Sequence, residues 1–78
     1  MKTLDLHGYT QDRAEEAIDR FLYKAMNDNE ERVRIMTGKG SGTILKVTQN
    51  YLRKGNFHFQ FEKMSNGKPN EGVLVVFL

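Results

Sequence analysis

Val73-Leu74-Val75-Val76-Phe77-Leu78 is apolar at every position, so a strand built from it carries hydrophobic side chains on both faces. A sheet edge does not tolerate such a strand, and the run therefore predicts an interior position with a neighbour on each side. Just upstream, Phe57, Phe59 and Phe61 alternate with His58, Gln60 and Glu62, as a strand with one buried face does. The polar link from Ser65 to Gly72 reads as a hairpin connection, which makes these two strands antiparallel.

Working back through the chain, Thr43 to Leu52 gives an amphipathic helix on Ile44, Leu45, Val47, Thr48, Tyr51 and Leu52, with Gly55 placed to follow its C-cap. Arg32 to Met36 alternates as a strand around Val33 and Ile35, and Asn27 to Glu31 before it is turn-like. Ala14, Ala17, Ile18, Phe21, Leu22 and Ala25 recur at helical spacing over about Gln11 to Met26, with Thr10 as N-cap. Thr3 to His7 is a first strand, Leu4 and Leu6 inward and Asp5 and His7 on the other face, closed by Gly8. The element order is βαβαββ. Right-handed crossovers set the first three strands parallel and both helices on one face. An interior last strand then fits between the second and third. The predicted fold is an α/β two-layer sandwich whose four-stranded mixed sheet has the order 1-2-4-3, last strand antiparallel. Such a sheet sets the C-terminal ends of its first two strands side by side, bringing His7-Gly8 to Thr37-Gly38-Lys39-Gly40.

The 78 residues suffice for one core, so a single domain is expected over residues 1–78. The absence of cysteine excludes disulfides, thiolate metal sites and a thiol nucleophile. No apolar span approaches twenty residues and the first residues lack a signal-peptide core, so a soluble, cytoplasmic protein with no membrane partner is expected. The net charge of +2 permits a polyanion partner without demanding one. Its distribution says more: acids concentrate between Asp12 and Glu31, whereas Lys39, Lys46, Arg53 and Lys54 follow the second strand with no acid among them.

Met36-Thr37-Gly38-Lys39-Gly40-Ser41-Gly42 links the second strand to the second helix. Glycines there permit positive φ and leave amides uncovered, and the helix start adds partial positive charge, so the stretch reads as an anion or phosphate pocket. It has neither the Walker spacing nor Gly-x-Gly-x-x-Gly, and a plain flexible turn with a solvated lysine is the competing reading. His7 would exchange a proton with water or a ribose 2′-hydroxyl, while Lys39 and the loop amides would stabilise a phosphorane-like charge. Asp5 would orient His7 or hold a cation such as Mg²⁺ or Mn²⁺, although one carboxylate is too few to build a metal cage. A histidine at a strand end is also a common turn residue, and an acid there a common cap. Tyr9 is placed either to stack on a base or to pack at the helix entrance. No small-molecule cofactor is indicated, because a two-layer unit of this size offers little concavity.

Leu4-Asp5-Leu6-His7-Gly8, Thr37-Gly38-Lys39-Gly40-Ser41-Gly42 and Gly72-Val73-Leu74-Val75-Val76 together resemble the Smr (small MutS-related) domain over essentially the whole chain. The resemblance implies a fold similar to the C-terminal domain of bacterial translation initiation factor three, acting as a nicking endonuclease on DNA or as an RNA endonuclease. It assigns Asp5 and His7 to the motif implicated in cleavage and Gly38, Lys39 and Gly40 to a second motif implicated in binding and activity. Many members carry histidine where this chain has Thr37, so a second imidazole is missing. Two functions are open at this point. One is an endonuclease in which Asp5, His7 and Lys39 are catalytic and Thr37, Gly38, Lys39, Gly40, Ser41, Lys46 and Arg53 bind nucleic acid. The other is a non-catalytic module that binds nucleic acid or the ribosome for a larger MutS-related protein. A monomer is expected in either case.

Overall fold

The structure, a computed structural model, describes residues 1–38, 40 and 42–78. Its elements run β1 (Thr3–Asp5), α1 (Gln11–Asn27), β2 (Arg32–Met36), α2 (Thr43–Lys54), β3 (His58–Lys63) and β4 (Pro69–Phe77). The sheet has the order β1-β2-β4-β3. β1 and β2 are parallel, and β4 is antiparallel to both β2 and β3. The apolar closing run is thus the central strand its composition requires.

Register sorts the side chains. Leu4 pairs with Ile35, Ile35 with Leu74, and Leu74 with Phe61, a row that crosses all four strands on the helix-covered face. Leu6, Ile18, Leu22, Ile35, Leu52, Leu74 and Val76 are each at most 1% exposed, and Leu4, Phe57, Phe59 and Phe61 pack around them. Thr48, equally buried, satisfies its hydroxyl by donating to the Ile44 carbonyl at 2.8 Å.

The opposite face carries no helix, yet Val73 and Val75 are buried there. Val75 lies between Arg34 on β2 and Gln60 on β3. Arg34 Nη2 reaches across to Glu62 Oε2 at 2.8 Å. The ion pair spans the central strand, and the aliphatic stem of the arginine shields apolar surface that β4 would otherwise give to water.

The boundaries depart from the sequence reading in three places. β1 ends at Asp5 instead of His7, and the Asp5 carboxylate turns back to accept from the His7 amide. β4 begins at Pro69, inside the segment expected to be a hairpin link, and the register shifts between Phe61 and Glu62. A proline is tolerated at a strand's first position, where it contributes only its carbonyl. At the end of α2, Gly55 is the C-cap itself with φ −84°, and the left-handed residue is Asn56 at φ 58°. Glycine is required at 55 for space: a Cβ there would stand 2.7 Å from the Phe57 ring.

The two helices are joined by the Tyr51 hydroxyl, which donates to Asp19 Oδ1. Burial of the phenol, followed by the hydrogen bond to Asp19 and the repulsion its carboxylate would exert on a phenolate, pushes Tyr51 up from 10.0 to about 12. The folded value exceeds the unfolded one, so this contribution to stability is complete below pH 10 and is lost as pH rises toward 12. In an alkaline absorbance titration, a phenolate step near pH 12 is expected in the wild type and should vanish in Tyr51→Phe. A Tyr51→Phe trace that keeps the step would contradict the assignment.

Candidate nucleic-acid interface

The site is assembled at the end of the sheet where β1 and β2 finish. Beyond Asp5 the chain makes one more ladder bond, Leu6 N–H to the Met36 carbonyl at 2.9 Å, and Leu6 is buried. The next residue is held by Asp5 Oδ1, which accepts from the His7 N–H at 2.9 Å. Gly8 then takes φ 78° and the Tyr9 N–H returns to the Leu6 carbonyl at 3.0 Å. Positive φ suits glycine at position 8, and the tight turn leaves the His7 side chain exposed at its crest. Asp5 engages the backbone of His7, so its effect on the imidazole runs through the geometry of the turn.

A hollow of about 470 Å³ opens beside this crest, walled by Leu6, His7 and Gly8 on one side and by Thr37, Gly38, Gly40 and the start of α2 on the other. The two distant sequence stretches therefore do meet. Gly40 is exposed, whereas Thr37 is only 8% exposed and its hydroxyl is directed at the Gly38 carbonyl at 3.4 Å. Lys39 and Ser41 lie outside the described residues.

The roots of the loop are fixed from an unexpected direction. Both the Thr37 and the Gly38 N–H donate to the Gly72 carbonyl of β4, at 2.9 and 3.2 Å. These two amides are thus engaged by the sheet, and the several loop N–H groups expected to face an anion do not include them. α2 starts at Gly42 with φ 84°, without a side-chain cap and without an acid in its first turn. In α1, by contrast, Thr10 caps the first turn and Asp12 sits in it. No carboxylate on the first turn of α2 thus offsets the positive end of that helix dipole.

Lys46 is exposed one turn into α2. Arg53 stands in the last turn, about 10.5 Å along the axis beyond Lys46 by helical rise, with its guanidinium carbon 5.8 Å from the centroid of the Phe59 ring. Among the described residues, no three histidine, aspartate or glutamate side chains are grouped to ligate a metal, and no helix is long and apolar enough to cross a membrane.

Residues 4–78 match the Smr domain family. Among characterised proteins, the endonuclease MutS2 of Staphylococcus saprophyticus is 42% identical over 69 residues, 88% of this chain, and that of Staphylococcus carnosus is 41% identical over the same length. The chain spans about 8% of the length of either relative. The Smr domain of Thermus thermophilus MutS2 superposes with a TM-score of 0.83 at 28% identity, covering 99% of this chain and 96% of that one. YdaL, a stand-alone small MutS-related protein from Escherichia coli, shares the fold at a TM-score of 0.73 and 18% identity, over 97% of this chain and 63% of its own.

Proposed function

Since this chain belongs to the Smr domain family, we propose that it is a nucleic-acid-binding endonuclease unit, monomeric and cytoplasmic, that cuts phosphodiester bonds in DNA or RNA. The observation that carries this reading is the hollow shared by His7 and the glycine loop, with a helix start in its wall whose N-cap is glycine and whose first turn carries no acid. A phosphate seated there meets a proton acceptor on one side and a positive helix end on the other. His7 takes the proton of the attacking water or 2′-hydroxyl as the new P–O bond forms and the old one breaks. Lys39, by its place in the sequence motif, and the amides from position 40 onward hold the added negative charge. Asp5 is a positioning residue, fixing the turn that presents His7. Lys46 extends the contact along the backbone, and Arg53 serves only a strand long enough to run the length of α2.

Two details favour a second reading, binding without cleavage on nucleic acid or the ribosome. Thr37 is buried at the position where an imidazole is common in the family, and the Asp5 carboxylate is engaged in a backbone turn. Supercoiled plasmid and structured RNA, incubated in parallel with and without Mg²⁺ or Mn²⁺, separate the two: the first reading expects nicked or shortened product, the second salt-sensitive binding alone. Both expect Lys39→Ala to weaken binding across sequences and to lower the slope of log affinity against log salt by about one unit. Affinity independent of salt in the wild type would refute both.

A further inference from the structure

A second hollow, of about 420 Å³, lies on the far side of His7, floored by the first turns of α1 and lined by Tyr9, Arg13, Glu16 and Arg20. It shares His7 and Gly8 with the loop hollow, so the imidazole stands on the ridge between the two. We infer that this second hollow holds the unpaired nucleotides flanking the phosphodiester at His7, with Arg13 and Arg20 on their phosphates and Tyr9 stacked on a base. The inference rests on the endonuclease or binding reading above and adds a substrate class: a single strand at this position, not a duplex.

Three observations support it. First, the cations are uncommitted. Lys2 and Lys24 pair with Asp28, and Arg34 with Glu62, but among the described residues neither Arg13 nor Arg20 forms an ion pair. Glu16 stands three and four residues from them, in the spacing that favours such pairs on a helix. Second, the spacing fits a strand. Seven residues of helix separate the two arginines by about 10.5 Å of rise, against about 3.4 Å per nucleotide of a stacked strand, which is roughly three nucleotides. A guanidinium offers the planar fork that matches a phosphate. Third, Tyr9 is 39% exposed although its backbone is fixed by the Leu6 carbonyl, so the ring is presented from a rigid turn. An exposed aromatic beside cations is the arrangement that binds unpaired bases, whose faces a duplex keeps stacked. Glu16 in the same hollow repels phosphate and narrows its path to the arginines.

The test is fluorescence anisotropy with a labelled twelve-nucleotide strand, as DNA and as RNA, and with the same DNA sequence as a duplex, across a salt series. Arg13→Ala/Arg20→Ala is expected to reduce the salt slope on the single strands by about 1.4, two phosphate contacts at about 0.7 each, with little change on the duplex. Arg13→Lys/Arg20→Lys should keep most of the slope. Tyr9→Ala should weaken single-strand binding by about 5- to 150-fold, the equivalent of one lost base stack, with the slope unchanged. Arg32→Ala/Lys54→Ala, at the other end of the sheet and of α2, controls for net charge and should match the wild type. A double alanine variant with wild-type slope and affinity on single strands, or one that loses single strand and duplex equally, overturns the inference while leaving the proposed function standing. Salt-insensitive binding by the wild type itself would instead remove the function on which it rests.

Discussion

His7→Ala is expected to lower the rate of phosphodiester cleavage by about 10²- to 10⁴-fold, the usual contribution of a positioned general base, while leaving affinity for the same strand nearly unchanged. The split follows from the geometry. His7 sits on the crest between two hollows, where the proposed reaction seats the phosphodiester, and the cations proposed to bind it belong to other segments. The turn holding it depends on its backbone N–H and on Gly8, not on the imidazole, so the variant should fold as the wild type does. Asp5→Asn separates orientation from chemistry. The amide oxygen can still accept from the His7 N–H, so the turn survives and the loss should be much smaller than for His7→Ala. Equal cleavage by wild type and His7→Ala would remove the imidazole from the reaction and leave the binding reading in its place.

The largest loss of stability is expected from Leu74→Ala. Leu74 is 1% exposed at the centre of the row that joins Leu4, Ile35 and Phe61, and it has no rim toward which neighbours can collapse. Truncating a buried leucine costs about 2–5 kcal/mol, a large share of the few kcal/mol available to a domain this small. The thermal midpoint, followed by circular dichroism, should fall by roughly 10 to 30 °C. Val75→Thr, on the opposite face of the same strand beneath the Arg34–Glu62 pair, should cost far less. A drop under about 3 °C for Leu74→Ala would mean that the closing strand is not the centre of the core.

The strand order was legible because one property of one segment decides it: a run apolar on both faces has no place at an edge. The meeting of His7-Gly8 with Thr37-Gly38 follows from that order and from parallel pairing of β1 and β2, without any knowledge of side-chain detail. Local chemistry was legible where a single residue dominates, as in the Thr10 cap of α1. What escaped depended on pairs of groups distant in sequence or competing within a turn. On the free edge of β1 the Asp5 carboxylate takes the His7 amide and starts the turn, and alternation of side chains carries no trace of that bond. The left-handed conformation falls on Asn56, where the Phe57 N–H closes the helix end on the Leu52 carbonyl, while Gly55 leaves room for the Phe57 ring. The second hollow was missed because Arg13 and Arg20 lie in the acidic part of the sequence, where composition hides two cations that the helix sets on one side.

The Gly72 carbonyl takes both amides at the root of the glycine loop. That root is thereby moored to an interior strand of the sheet, paired on both sides. Sequence drift in the turn from Met64 to Lys68 can therefore shift the start of the glycine loop without touching it, because the same strand that leaves this turn ties the anchor.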